Sequence, residues 1–111
     1  MKKLKKIICI IPARKGSKRI KNKNIINFFG KPLISYSIEN ALKSNIFEKV
    51  IVSTDSKKIS NISKKYGADV PFLRPKSLSG NNIIVKDVLI HCLNKLKNIK
   101  KYEYFCCLYP T

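Results

Sequence analysis

Apolar positions change period along this chain, and each change marks an element. Residues 7–11 are an unbroken Ile-Ile-Cys-Ile-Ile run with no polar face, the pattern of a strand buried on both sides. From Pro32, the spacing of Leu33, Ile34, Ile38, Ala41 and Leu42 turns helical, with proline opening the helix where its missing N–H costs nothing. Val50, Ile51 and Val52 return to a β-branched run, followed by Ser53, Thr54 and Asp55, a polar strand end that leads into a helix start. Ile59, Ile62 and Tyr66 mark a second helix that stops at Gly67, a residue suited to the left-handed position after a helix. Residues 70–73 read as a short extended piece fenced by Pro71 and Pro75. Val85, Val88, Leu89, Cys92, Leu93 and Leu96 form one stripe of a third helix. Residues 104–109 are again continuously apolar, a further buried strand.

Strands that alternate with helices predict an α/β fold with a mainly parallel, helix-covered sheet. Such sheets take ligands at the carboxyl ends of their strands. Three strand ends carry polar or special residues: 14–18, 53–55 and 109–111. The sequence stops directly after its last apolar run, which predicts an incomplete sheet.

The first of those ends is the most informative. After Pro12 comes a loop with Gly16, Ser17 and the cations Arg14, Lys15, Lys18, Arg19, Lys21 and Lys23. A strand feeding a Gly/Ser loop rich in Lys and Arg suits a polyphosphate. Glycine lets the backbone approach, inward N–H groups bind oxygen, and the cations neutralise charge. The spacing is neither the Gly-x-x-x-x-Gly-Lys-Ser/Thr phosphate loop nor the Gly-x-Gly-x-x-Gly dinucleotide turn.

Composition narrows the classes. The 111 residues make one domain or part of one, and 44% hydrophobic content supports a core. The formal charge of +18 comes mainly from lysines dispersed along the chain, a solvated surface whose field favours anions, not a nucleic-acid footprint. Cys9, Cys92, Cys106 and Cys107 include no C-x-x-C pair, and with the single His91 they make no zinc set. Their apolar neighbours predict buried free thiols in a reducing cytosol. No segment reaches membrane-spanning length, and the apolar run before Pro12 is too short for a signal peptide. The expected location is therefore cytoplasmic. His91 beside the 88–92 stripe reads as a helix-packing residue.

Five collinear motifs resemble the acylneuraminate cytidylyltransferases, which make CMP-activated nonulosonic acids. They are IPARKGSKRIKNKNI at 11–25, GKPLI at 30–34, VSTD at 52–55, YGADVPFLRP at 66–75 and LYPT at 108–111. The Gly-Ser-Lys-Arg-Ile and Leu-Tyr-Pro-Thr variants look most like the pseudaminic acid branch, whereas the sialic acid branch shows Ser-Lys-Gly and Leu-Gln-Pro-Thr. The 23–25 segment Lys-Asn-Ile sets the chain apart from the CMP-KDO synthetases. The resemblance implies a Rossmann-like, GT-A-like nucleotidyltransferase fold in three layers. Residues 1–111 would be the N-terminal, CTP-binding part of one domain that dimerises at full length. It also implies the reaction: the anomeric hydroxyl of a nonulosonic acid attacks the α-phosphorus of CTP, and pyrophosphate leaves, for cell-surface glycan biosynthesis. Phosphoryl-type transfer of this kind depends on alignment and charge stabilisation more than on covalent catalysis.

The resemblance assigns Arg14, Gly16, Ser17, Lys18 and Lys23 to the triphosphate, with Arg14 and Lys18 as the catalytic cations. Asn24 and Arg74 fall at positions that contact cytosine, and Tyr109 stands where a sugar-contacting glutamine occurs. Asp55 reads either as a helix N-cap or as a ligand contact. Family members run to about twice this length, and the other half carries the aspartates that bind Mg²⁺. No Asp-x-Asp pair occurs here, so the implied metal ligands are absent and little turnover is expected from this chain alone. The 79–85 loop, Ser-Gly-Asn-Asn-Ile-Ile-Val, also departs from the family's aspartate, threonine and serine. The competing reading is a non-catalytic nucleotide-binding fragment or a split subunit.

Overall fold

The structure is a computed structural model that describes residues 7–16, 23–80, 83–96 and 102–109. Strand β1 (Ile7–Pro12) lies at the centre of a three-stranded parallel sheet, between β4 (Lys49–Ser53) and β5 (Tyr104–Cys107). Its register runs from Ile8 opposite Lys49 to Pro12 opposite Ser53, and from Ile7 opposite Tyr104 to Ile10 opposite Cys107. A small antiparallel hairpin, β2 (Asn27–Phe28) with β3 (Lys31–Pro32), precedes helix α1 (Leu33–Ser44). Helices α2 (Lys57–Lys65) and α3 (Val85–Lys95) follow β4.

The unbroken apolar run of β1 is explained by its two covered faces. Cys9 and Ile11 join Val50 and Val52 against Ile34, Ile38 and Ala41 of α1 and Ile59 of α2. Ile8 and Ile10 join Ile51 against Cys92 of α3. The result is the expected three-layer arrangement, helices on either side of a parallel sheet. Each fully buried isoleucine contributes about 1.5–3 kcal/mol relative to exposure.

The ends of α2 fall within a residue of where the sequence placed them. Ser56 Oγ accepts from the Ile59 N–H at 3.2 Å and caps α2. Gly67 follows Tyr66 with φ +104°, and its missing Cβ would sit 2.9 Å from Leu42 Cδ1. Residues 70–73 form no strand; the extended contact lies one residue earlier, as a parallel bridge from Asp69 to Ile51.

Three further features depart from the sequence reading. The last strand is shorter than 104–109, ending at Cys107. It is also not buried: Tyr104, Phe105 and Cys106 are exposed, and Cys107 is half-buried. The expectation of four buried thiols therefore holds only for Cys9 and Cys92. The physical reason is position: β5 pairs with β1 on one side only, and among the described residues no element covers its faces as α1 and α3 cover β1. Finally, the β2–β3 hairpin was not legible. Phe29 at its turn has φ 52° and is 87% exposed. The Tyr36 hydroxyl reaches the carbonyls of both Phe28 and Phe29, holding the turn to α1. Among the described residues, no helix is long and apolar enough to cross a membrane.

Candidate functional site

Parallel pairing brings the carboxyl ends of β4, β1 and β5 to one edge of the sheet. A cavity of about 260 Å³ opens there, walled by Pro12, Arg14, Gly16, Lys23, Asn24, Arg74 and Tyr109, with Ile83, Val85 and Val88 closing the apolar side. The site residues expected from the sequence are thus gathered from four separate segments. Ser17 and Lys18 lie outside the described residues, as do Arg19, Lys21, Asn81 and Asn82.

The loop after β1 is tied down residue by residue. The Ala13 N–H donates to the Ser53 carbonyl at 2.8 Å. Asn24 Nδ2 donates to the Arg14 carbonyl at 3.0 Å, which joins the 3-10 turn at Lys23–Ile25 to the loop. The Lys15 N–H donates to Asp55 Oδ1 at 2.7 Å. This N–H is therefore committed to the protein and does not point inward as the loop's composition implied. A Cβ at Gly16 would approach the Arg14 guanidinium to 3.3 Å, a tight contact that would press on the end of that side chain.

Arg74 is 6% exposed. Its Nη2 donates to the Ser53 carbonyl at 2.7 Å, Nε to Ser53 Oγ at 3.2 Å, and Nη1 to the Leu78 carbonyl at 3.2 Å. These partners are all neutral. Burial lowers the pKa of Arg74; Asp55 opposes that shift and Arg14 adds to it. Arginine stays protonated in proteins, so the site holds a buried cation beside a second cation. An anionic ligand relieves that arrangement.

Other residues fall out of contention or into narrower roles. The cap of α2 is Ser56, not Asp55, and Asp55 serves the β1 loop instead. Tyr109 lies past the end of β5, and its carbonyl accepts from Ser37 Oγ at 3.5 Å. It is 53% exposed on the cavity wall and does not close a core strand. His91 packs edge-on against Phe72, with ring centroids 5.2 Å apart. Burial, with Lys95 and Arg74 nearby, lowers its pKa, in keeping with a packing role. Sequence reasoning passed over Ser53, whose carbonyl and hydroxyl organise both Ala13 and Arg74; only its place at a strand end signalled it.

The sequence profile of the cytidylyltransferases matches residues 8–108, almost the whole chain. The chain belongs to the cytidylyltransferase family. It is 51% identical over 107 residues to a pseudaminic acid cytidylyltransferase of Campylobacter jejuni, covering 96% of this chain and 46% of that protein. It is 46% identical over 106 residues to an N-acylneuraminate cytidylyltransferase of Escherichia coli, covering 96% of this chain and 24% of the relative. Against a CMP-N,N'-diacetyllegionaminic acid synthase of Legionella pneumophila the identity is 43%, over 96% of this chain and 46% of the relative. Among solved structures, CMP:2-keto-3-deoxy-manno-octonic acid synthetase complexed with CTP superposes with a TM-score of 0.77. That match covers 95% of this chain and 40% of the other at 24% identity, and it establishes the shared nucleotidyltransferase fold. This cytidylyltransferase chain spans less than half the length of each of these relatives.

Proposed function

We propose that this chain is the N-terminal, CTP-binding part of a single nucleotidyltransferase domain. The whole protein transfers CMP from CTP to a nonulosonic acid, pseudaminic in preference to sialic type, and releases pyrophosphate. The observation that carries this reading is the convergence of Arg14, Gly16, Lys23, Asn24 and Arg74 on one cavity at the strand ends. The identity to a pseudaminic acid cytidylyltransferase supports the choice of sugar.

In this reading Arg14 and Lys23 neutralise the triphosphate, with Ser17 and Lys18 completing the loop. A positively charged, pre-arranged site stabilises charge that develops on the departing pyrophosphate. Arg74 and Asn24 edge the base: three of the five N–H groups a guanidinium carries are engaged with protein, and the rest serve the ligand. Tyr109 on the cavity wall fits a sugar contact.

The family resemblance adds Mg²⁺, a cytoplasmic setting and a homodimer to the full-length enzyme. Among the described residues no group of three or more His, Cys, Asp or Glu stands together to hold a metal ion. The donors among these residues do not fit that role.

Calorimetric titration of the chain with CTP, beside ATP and inorganic pyrophosphate, tests the binding reading. Preferential heat with CTP is expected; equal weak heats for all three would overturn it. Product formation is then measured on a full-length protein carrying these residues, with CTP, Mg²⁺ and a pseudaminic acid. CTP binding without CMP-sugar would favour the competing reading, a non-catalytic nucleotide-binding protein.

A further inference from the structure

We propose that Asp55 is a positioning residue for the phosphate-binding loop: its carboxylate holds the Lys15 N–H and so fixes where Arg14 and Gly16 present themselves to the nucleotide. The inference rests on the CTP-binding reading above. A carboxylate close to a polyphosphate site repels its ligand, so its presence there needs a reason that outweighs the repulsion. The geometry supplies one. Oδ1 accepts from the Lys15 N–H at 2.7 Å, a charge-assisted bond across forty positions of sequence. Among the described residues, Asp55 is not part of the cavity wall. It lies behind the loop, beside Lys15, Ile25 and the first turn of α2.

The neighbouring bonds give this contact its leverage. Residue 13 is held by Ser53 and residue 14 by Asn24; Asp55 supplies the hold on residue 15. Three successive residues are thereby anchored, two of them to the 53–55 strand end and one to the 23–25 turn. With the third anchor removed, the backbone between Arg14 and Gly16 is free to rotate, and ligand binding must supply the ordering that Asp55 now provides. Most of this hold comes from the acceptor oxygen, which asparagine also carries, and the negative charge strengthens it. Ser56 caps α2 independently, so the helix does not depend on Asp55 for its start.

The test compares Asp55→Ala, Asp55→Asn and Ser56→Ala with the unaltered chain, by CTP titration and by amide hydrogen exchange at Lys15. Asp55→Ala is expected to raise the CTP Kd about tenfold, the loss typical of one charge-assisted bond, and to speed Lys15 exchange. Asp55→Asn keeps the acceptor, so CTP Kd and Lys15 protection should stay within about threefold of the original. Ser56→Ala lowers helix stability and should leave both readouts in place. Unchanged Lys15 exchange in Asp55→Ala would overturn the proposal, whether or not the chain binds CTP. So would an Asn variant that binds CTP as poorly as the Ala variant, since charge would then be the active property. Absent CTP binding by the unaltered chain, with the expected exchange pattern, would instead strike the nucleotide assignment and leave the anchor standing.

Discussion

Arg74 and Ser53 are joined twice, by Nη2 to the carbonyl at 2.7 Å and by Nε to the hydroxyl at 3.2 Å. The Arg74 N–H adds a third tie, to the Thr54 carbonyl at 2.7 Å. The segment that follows Asp69 is thereby stitched to the tip of β4, and the same carbonyl of Ser53 also receives Ala13. One arginine side chain thus supports two walls of the cavity.

Arg74→Lys should accordingly behave as a disruptive change. An ammonium cannot reproduce a planar fork that reaches Ser53 and Leu78 together. A loss on the order of 2 kcal/mol is expected from buried acceptors left unpaired, together with weaker CTP binding. Urea denaturation measures the first; a midpoint equal to that of the unaltered chain would show that the fork is dispensable.

Arg14→Ala should weaken CTP binding by at least about tenfold through lost charge-assisted contacts to phosphate. The β1 core, which Arg14 does not enter, should leave the thermal midpoint nearly unchanged. Because the contact is electrostatic, the gap between the two proteins should narrow as salt rises. An Arg14→Ala chain that titrates like the original would remove this residue from the site.

The cysteines should separate into two reactivity classes. Burial pushes the Cys9 and Cys92 thiols up to about 12, while Cys106 is exposed. At pH 8 a thiol reagent should modify Cys106 first and reach Cys9 and Cys92 only on unfolding. The same shifts make stability depend on pH. A thiol whose folded pKa exceeds its ordinary 9.0 contributes stability that is intact below pH 9 and lost as pH rises towards 12. Denaturation midpoints should therefore fall through that window, and Cys92→Ser or Cys9→Ala should flatten the fall. A midpoint independent of pH between 9 and 11 contradicts the assignment.

Gly67→Ala should cost about 1–2 kcal/mol, since a Cβ is strained at positive φ. Part of the loss comes from the 2.9 Å approach to Leu42 Cδ1. Adding Leu42→Ala separates the two causes: the clash disappears while the backbone strain stays. Full recovery in the double variant would mean that the φ of +104° contributes nothing.

The alternation of β-branched runs with helical stripes was enough to place β1, α1, β4, α2 and α3, because their burial is two-sided or one-sided in the way their periods imply. Part of the cavity was legible for a similar reason: Arg14, Gly16 and Tyr109 stand at or just past strand ends, where a parallel sheet collects them, whereas Asn24 and Arg74 were expected there only from the family resemblance. The β2–β3 hairpin was not legible, because Phe29 adopts a backbone region that its own chemistry disfavours and Tyr36 holds it there from a distance. The N-cap reading of Asp55 failed for a related reason. Local sequence offered a helix start next door, whereas its partner is Lys15, far away along the chain. The exposure of Cys106 followed from sheet order, which residue patterns do not encode.

The position of β1 has a consequence for synthesis. Ile8 pairs with Lys49, but Ile7 must wait for Tyr104. One edge of this apolar strand therefore stays open until residues 104–107 have been made. Distant parallel pairing of this kind folds slowly and leaves sticky intermediates exposed. The sequence between those partners is dense in lysine, and like charge of this kind disfavours edge-to-edge pairing between chains.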